Sequence, residues 1–138
     1  MTPSTPAAAG KGTAAPAVAG TTWYITLPLA KPLSLNSRQH WHAKARDVAA
    51  LRDATRLLVR NAHIGYHERV TVGLVYYPPD QRRRDADNLV ATLKPACDAL
   101  VDEGVVIDDD PAHMVKLMPV IGPVVVRPQM VLTVTAPA

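Results

Sequence analysis

The sequence predicts a small two-layer α+β domain, a mixed β-sheet carrying two main helices. Three observations lead there. The 138 residues make one domain, and 48% hydrophobic content supplies a core of useful size. Two stretches repeat their apolar residues every three or four positions, which is the helical period. Four others are rich in β-branched residues and bounded by proline or polar residues, which marks strands. In chain order they read β–α–β–α–β–β, an order that suits a two-layer α+β or a mixed α/β arrangement.

Residues 1–21 are mostly Ala, Pro, Gly and Thr with one lysine, so they are expected to form a flexible tail before a folded domain over 22–138. TWYITLP (22–28) reads as the first strand, stopped by its proline, and LAKPLSLNSR as a loop. From about Arg38 to Asn61 a helix is expected, because Trp41, Ala45, Val48, Leu51, Ala54 and Leu58 form one apolar stripe. Arg52, Arg56 and Arg60 lie on another line of the same helix. ERVTVGLVYYP (68–78) is the second strand, ended by Pro78 and Pro79, and DQRRRDA is a loop. The second helix is expected from about Asp87 to Glu103, with Leu89, Leu93, Cys97 and Leu100 on its apolar side and Gly104 as its stop. Pro95 either kinks this helix or restarts it. VVI (105–107) is short and extended, and HMVKLMPVI and VVVRPQMVLTVTA are the closing strands.

Composition excludes several classes. A single cysteine, Cys97, forbids an intrachain disulfide and fits a reducing compartment, with a small buried apolar side chain as its plain role. The five histidines form no zinc-finger pattern with it. No run approaches the ~20 apolar residues of a membrane span. The N-terminus lacks the charged and then apolar pattern of an export signal, so a cytoplasmic protein is expected.

The charge distribution carries the functional signal. The net charge is +3, yet residues 80–110 hold nine acids against four bases and eight of the ten aspartates. Packed carboxylates repel unless something positive sits among them. Local arginines or a bound cation would supply it. Asp85 and Asp87 are two apart where loop turns into helix, so both can face one pocket; for Asp87 the plain alternative is helix capping. Asp108–Asp110 precede Pro111, where a turn needs fewer acids. Asp85, Asp87 and one member of this triplet would make an all-oxygen site for a hard divalent cation, Mg²⁺ or Mn²⁺. Lys94 and Asp98 fall near the line of Asp87 on the second helix. Arg82, Arg83 and Arg84 match phosphate geometry, although neutralising their acidic neighbours would also account for them. Carboxylates that hold a metal beside arginines that hold phosphate suit phosphodiester hydrolysis. The Arg52, Arg56 and Arg60 line is a candidate for further phosphate contacts or simply a solvated face. An EF-hand from Asp85 fails, because Leu89, Val90 and Ala96 stand where an oxygen ligand, glycine and glutamate are needed.

RRRDADN and LKPACDALVDEGVVIDDDP resemble the RusA family of Holliday junction resolvases. The likeness rests on Asp85, Asp87, Asn88, Lys94, Asp98-Ala99-Leu100, Gly104 and Asp108-Asp109, in that order, with ITLPLAKPLSLNSR resembling the family's proline-rich opening. It covers roughly residues 23–119. The resemblance implies a Mg²⁺-dependent homodimer that nicks symmetric strands of a four-way DNA junction. It implies metal binding by Asp85, Asp87 and Asp109, a catalytic role for Lys94, and a DNA-side role for Asn88. One departure stands out. The family lysine often lies four residues after the second aspartate; here that place is Ala91, and Lys94 lies seven after it.

Two other classes compete. A non-catalytic phage or prophage DNA-binding accessory protein would bind junctions without a metal-dependent product. A metal-dependent phosphohydrolase of nucleotides would prefer small diesters, and the chain has no Gly-rich phosphate loop to favour it.

Overall fold

A computed structural model of the chain describes residues 20–33 and 41–137. Most of the expected tail and the expected helix start at Arg38 lie outside these residues. Alternation builds the sheet. In strand β2, Val70–Tyr77, the side chains of Val70, Val72, Leu74 and Tyr76 share one face; in the last strand, Gln129–Pro137, Met130, Leu132, Val134 and Ala136 do the same. The two strands pair antiparallel, with Val72 opposite Val134 and Leu74 opposite Leu132, so these rows merge into one buried surface. Strand β1, Gly20–Thr26, pairs with the other edge of the last strand and adds Ile25 opposite Leu132. It begins at Gly20, inside the expected tail.

The free edge of β2 takes two short parallel partners, β3 (Met114–Lys116) and β4 (Val120–Ile121). Together with Gln129–Pro137, now β5, they make a five-stranded mixed sheet in the order β1-β5-β2-β3, with β4 also on β2. One strand was expected over HMVKLMPVI. Pro119, which has no N–H to give a ladder, falls in the gap between the two pieces. The last strand likewise starts only after Pro128, and Val126 before it is 95% exposed.

Helix α1, Trp41–Ala62, and helix α2, Val90–Asp102, cover the buried face, so the α+β prediction holds. Leu93, Cys97 and Leu100 of α2, with Leu89 just before it, enter the core as the periodicity predicts, and Ala96 joins them. Full burial of a leucine such as Leu100 contributes ~1.5–3 kcal/mol. The helix runs through Pro95 without a restart. It ends in a Schellman motif: Gly104 N–H donates to Val101 O and Val105 N–H to Leu100 O, both at 3.0 Å, with Gly104 at φ +75°.

In α1 only Leu51 of the expected stripe is buried; Ala54 and Leu58 are half-buried, Trp41, Ala45 and Val48 are exposed, and Thr55 and Val59 outside the stripe join the core side. Leu51 and Val59 are buried with Thr55, whose hydroxyl donates back to Leu51 O at 2.7 Å, whereas Trp41 is 66% and Val48 41% exposed. The 22-residue helix is about 33 Å long, and its N-terminal stretch, residues 41–50, holds no buried residue. Among the described residues no helix is long and apolar enough to cross a membrane.

Candidate active site

The chain leaves β2 at Tyr77 and enters the arginine loop, which is organised by a residue that sequence reasoning overlooked. Asp80 Oδ1 accepts the Arg82 backbone N–H at 3.0 Å and pairs with Arg84 at 2.9 Å. The Arg82 backbone amide, followed by Arg84, holds the Asp80 carboxyl below its ordinary range. Arg84 also donates to the carbonyls of Asp80 and Arg82, and its guanidinium lies 5.7 Å from the Tyr76 ring centroid. Arg84 is therefore tied down, Arg82 is loosely held by Asp80 at 3.5 Å, and Arg83 has no side-chain partner among the described residues. Arg82 and Arg84 find their acid at Asp80, not at Asp85 or Asp87 beside them.

Asp85 is extended, at φ −104° and ψ 132°, and opens a 3₁₀ turn over Ala86–Leu89. Its carbonyl accepts the Asn88 N–H at 3.1 Å. Neither Asp85 nor Leu89, which precedes α2, makes a side-chain capping bond, and Asp87 lies in the exposed first turn. The capping role that would have explained Asp87 is thus not taken up. The carboxylates of Asp85 and Asp87 have no hydrogen-bond or ion-pair partner among the described residues. Asp85 and Asn88 line a cleft of about 300 Å³ with Arg82, Arg83 and Arg84. Its apolar wall comes from Leu33, whose N–H is fixed to buried Thr92 Oγ1 at 2.9 Å, and from Ile121.

The Asp108–Asp110 triplet divides its work. Asp108 Oδ1 accepts the Asp109 N–H at 2.8 Å, a local turn bond. Asp110 accepts the His113 N–H at 3.2 Å and meets His113 Nδ1 at 2.6 Å, which fixes the entry to β3. Asp109 faces α2: Lys94 Nζ donates to its Oδ2 at 2.9 Å, and so does Lys116 Nζ from β3, also at 2.9 Å. The Lys94 hydrogen bond above all, then that of Lys116, pulls the Asp109 carboxyl down to about 2. Lys94 in turn is held protonated well above its ordinary value by Asp109 and then Asp98, which it reaches at 3.0 Å. Cys97, beneath this group, is buried, and burial pushes its thiol up to about 12, the opposite of an activated nucleophile.

Among the described residues no three His, Cys, Asp or Glu side chains form a ready metal cluster. Asp85 is brought to the arginine cleft and Asp109 to the two lysines; the chain does not close Asp85, Asp87 and Asp109 into one group. The donor chemistry still fits a hard cation: Asp85 and Asp87 offer carboxylate oxygens without a partner among the described residues, and Asp109 is held ionised.

Arg52, Arg56 and Arg60, considered for phosphate contacts, are engaged by acids of the chain itself. Arg52 grips Asp102 with two bonds, at 2.6 and 2.8 Å, and Arg56 and Arg60 share Glu103 at 3.1 and 2.9 Å. They clamp α1 to the end of α2. The spacing of Lys94 and Asp98 signalled their i,i+4 pair, but nothing in the sequence signalled Lys116.

Fold and site together define a mixed-sheet α+β domain that sets unengaged carboxylates beside an arginine loop and a lysine–aspartate group. No family model matches the chain. Curated relatives do. Crossover junction endodeoxyribonuclease RusA of Escherichia coli K12 is 36% identical over 121 residues, covering 83% of this chain and 94% of that protein. The Shigella sonnei protein of the same name gives the same figures. An uncharacterized protein of Xylella fastidiosa is 33% identical over 84 residues, 56% of this chain and 55% of its own length. The chain belongs to the RusA family.

Proposed function

We propose that the protein is a structure-selective endodeoxyribonuclease that resolves four-way DNA junctions in the cytoplasm during recombination and repair. The observation that carries this reading is the 36% identity spread over 94% of a crossover junction endodeoxyribonuclease. Asp85, Asp87 and Asp109 would hold Mg²⁺ or Mn²⁺. Bound there, the cation would polarise a phosphoryl oxygen and lower the pKa of a water. The rest falls to the chain. Arg83, with Arg82, grips phosphate beside the carboxylates. Arg84, locked between Asp80 and Tyr76, shapes the cleft wall. Asn88 presents an amide to the same cleft. Lys94 keeps Asp109 anionic and places a positive charge where the departing oxygen becomes negative. Cutting two symmetric strands needs two sites, so the acting species is a homodimer.

The test compares labelled four-way junction, linear duplex and flap, each with and without Mg²⁺. Nicks are expected on the junction alone and only with metal. Asp87→Asn should bind the junction and leave it whole; cleavage by that variant would overturn the assignment. Binding with no metal-dependent product from the wild type would instead indicate a non-catalytic DNA-binding protein.

A further inference from the structure

Two ammonium groups converge on one carboxylate oxygen. Lys94, in the second turn of α2, and Lys116, the last residue of β3, each donate to Asp109 Oδ2 at 2.9 Å. Their surroundings differ. Lys94 has a second acid, Asp98, at 3.0 Å, whereas the Lys116 ammonium has no other partner among the described residues. The group is open to water, with side-chain exposures of 35% for Lys116 and 23% for Asp109. We propose that Lys116 is a positioning residue of this site: with Lys94 it forms a built-in counter-ion of Asp109, and it yields that oxygen to the divalent cation when DNA arrives. The inference rests on Asp109 being a metal ligand in the nuclease reading.

The argument is electrostatic. Two ammoniums on one oxygen repel each other and are held there only by the carboxylate between them. A divalent cation held by Asp109 would add a third positive centre. Lys94 keeps Asp98; Lys116 has nothing left to hold it and moves to the nearest anion, which in a complex is the DNA phosphate. Metal and DNA therefore bind cooperatively, and the coupling is reciprocal. Without DNA, Lys116 competes with the metal and keeps its affinity low.

The experiment is a calorimetric Mn²⁺ titration of the full chain without DNA. Lys116→Met, which keeps the apolar stem, is expected to bind Mn²⁺ about fivefold more tightly than wild type, the factor that ~1 kcal/mol of a partly exposed ion pair makes. Lys116→Gln should shift the same way, and Lys116→Arg should restore the wild-type value. With an uncleavable junction added, wild type should gain Mn²⁺ affinity, and Lys116→Met should gain less. Unchanged or weaker Mn²⁺ binding in both charge-free variants would overturn the proposal, as would a wild-type affinity that ignores the junction. The nuclease reading fails separately, when the wild type does not cut the junction with metal, and the DNA-free titration can be read either way.

Discussion

Two charged regions lie at opposite ends of α2, and they treat their charges in opposite ways. At the C-terminal end every ion is answered: Arg52 by Asp102, Arg56 and Arg60 by Glu103, whose side chain is only 10% exposed. At the N-terminal end Asp85, Asp87 and Arg83 have no side-chain partners among the described residues, although opposite charges stand a few residues apart. Asp80 takes up Arg82 and Arg84, and none of Asp85, Asp87 and Arg83 pairs with another. Closed pairing ties helix to helix; open pairing leaves oxygens and a guanidinium available to something from outside. Charge density alone does not tell the two apart, since both regions are rich in Arg and Asp.

The strongest way to break the contrast is to exchange one charge at each end. Asp87→Asn should leave the melting temperature within about a degree of wild type, because exposed sites without partners usually fall within ±0.5 kcal/mol. The same change should lower junction cleavage by more than ~100-fold, because even the outer partners of metal ligands are worth 10–100-fold. Parallel melts and single-turnover cleavage assays check both halves. A large fall in melting temperature would mean that Asp87 is structural and that the two ends do not differ in kind.

Much of this arrangement was legible in the chain. Periodicity gave the order of elements, the apolar side of α2 and its Gly104 stop, because a local rule and tertiary packing agree there. Two strand boundaries were missed where Pro119 and Pro128 interrupt a β-branched run, since propensity alone overrides the missing N–H. The apolar stripe of α1 predicts more burial than there is: Trp41 and Val48 have the right spacing, yet they are 66% and 41% exposed. Site residues followed the same division. Asp85, Asp87 and Asn88 are adjacent in sequence and could be read together. Lys116 reaches Asp109 only because β3 pairs in parallel with β2, a contact that no local pattern encodes. The arginine line of α1 was visible, but its partners Asp102 and Glu103 are 43 to 50 residues away.

The clamp supplies the next effect in size. Glu103→Gln weakens the hold on Arg56 and Arg60 together, so thermal denaturation should show a drop of a few degrees while junction cleavage persists near the wild-type rate. The pH dependence has a definite sign. The Glu103 carboxyl is pulled from 4.5 to about 2, by Arg60 first and Arg56 second. A depressed folded-state pKa stabilises the fold above the unfolded value and loses that contribution as pH falls from about 4.5 towards 2. Wild type should therefore lose melting temperature across this window, and the Glu103→Gln curve should be flatter. Asp109, also held at about 2, loses its contribution over the same range in both proteins, so the difference between the curves isolates the clamp. Superimposable curves would show that the Glu103 pairs contribute nothing.

The smallest expected effect sharpens the contrast most, because it compares arginine with arginine. Arg83 has no side-chain partner among the described residues; Arg56 is held by Glu103 at 3.1 Å. A guanidinium that contacts phosphate releases counterions, so log Kd against log salt should lose about 0.9 of its slope when that contact is removed. Arg83→Ala is expected to flatten the slope by about this amount, weaken junction binding several-fold at low salt, and leave the melting temperature unchanged. Arg56→Ala should do the reverse, with an intact slope and a lowered melting temperature. Filter-binding titrations at four or five salt concentrations resolve the two. An Arg56→Ala slope that falls as much as the Arg83→Ala slope would mean that the clamp arginines reach DNA despite their acid partners, and that the end of α2 that looks closed is also part of the binding surface.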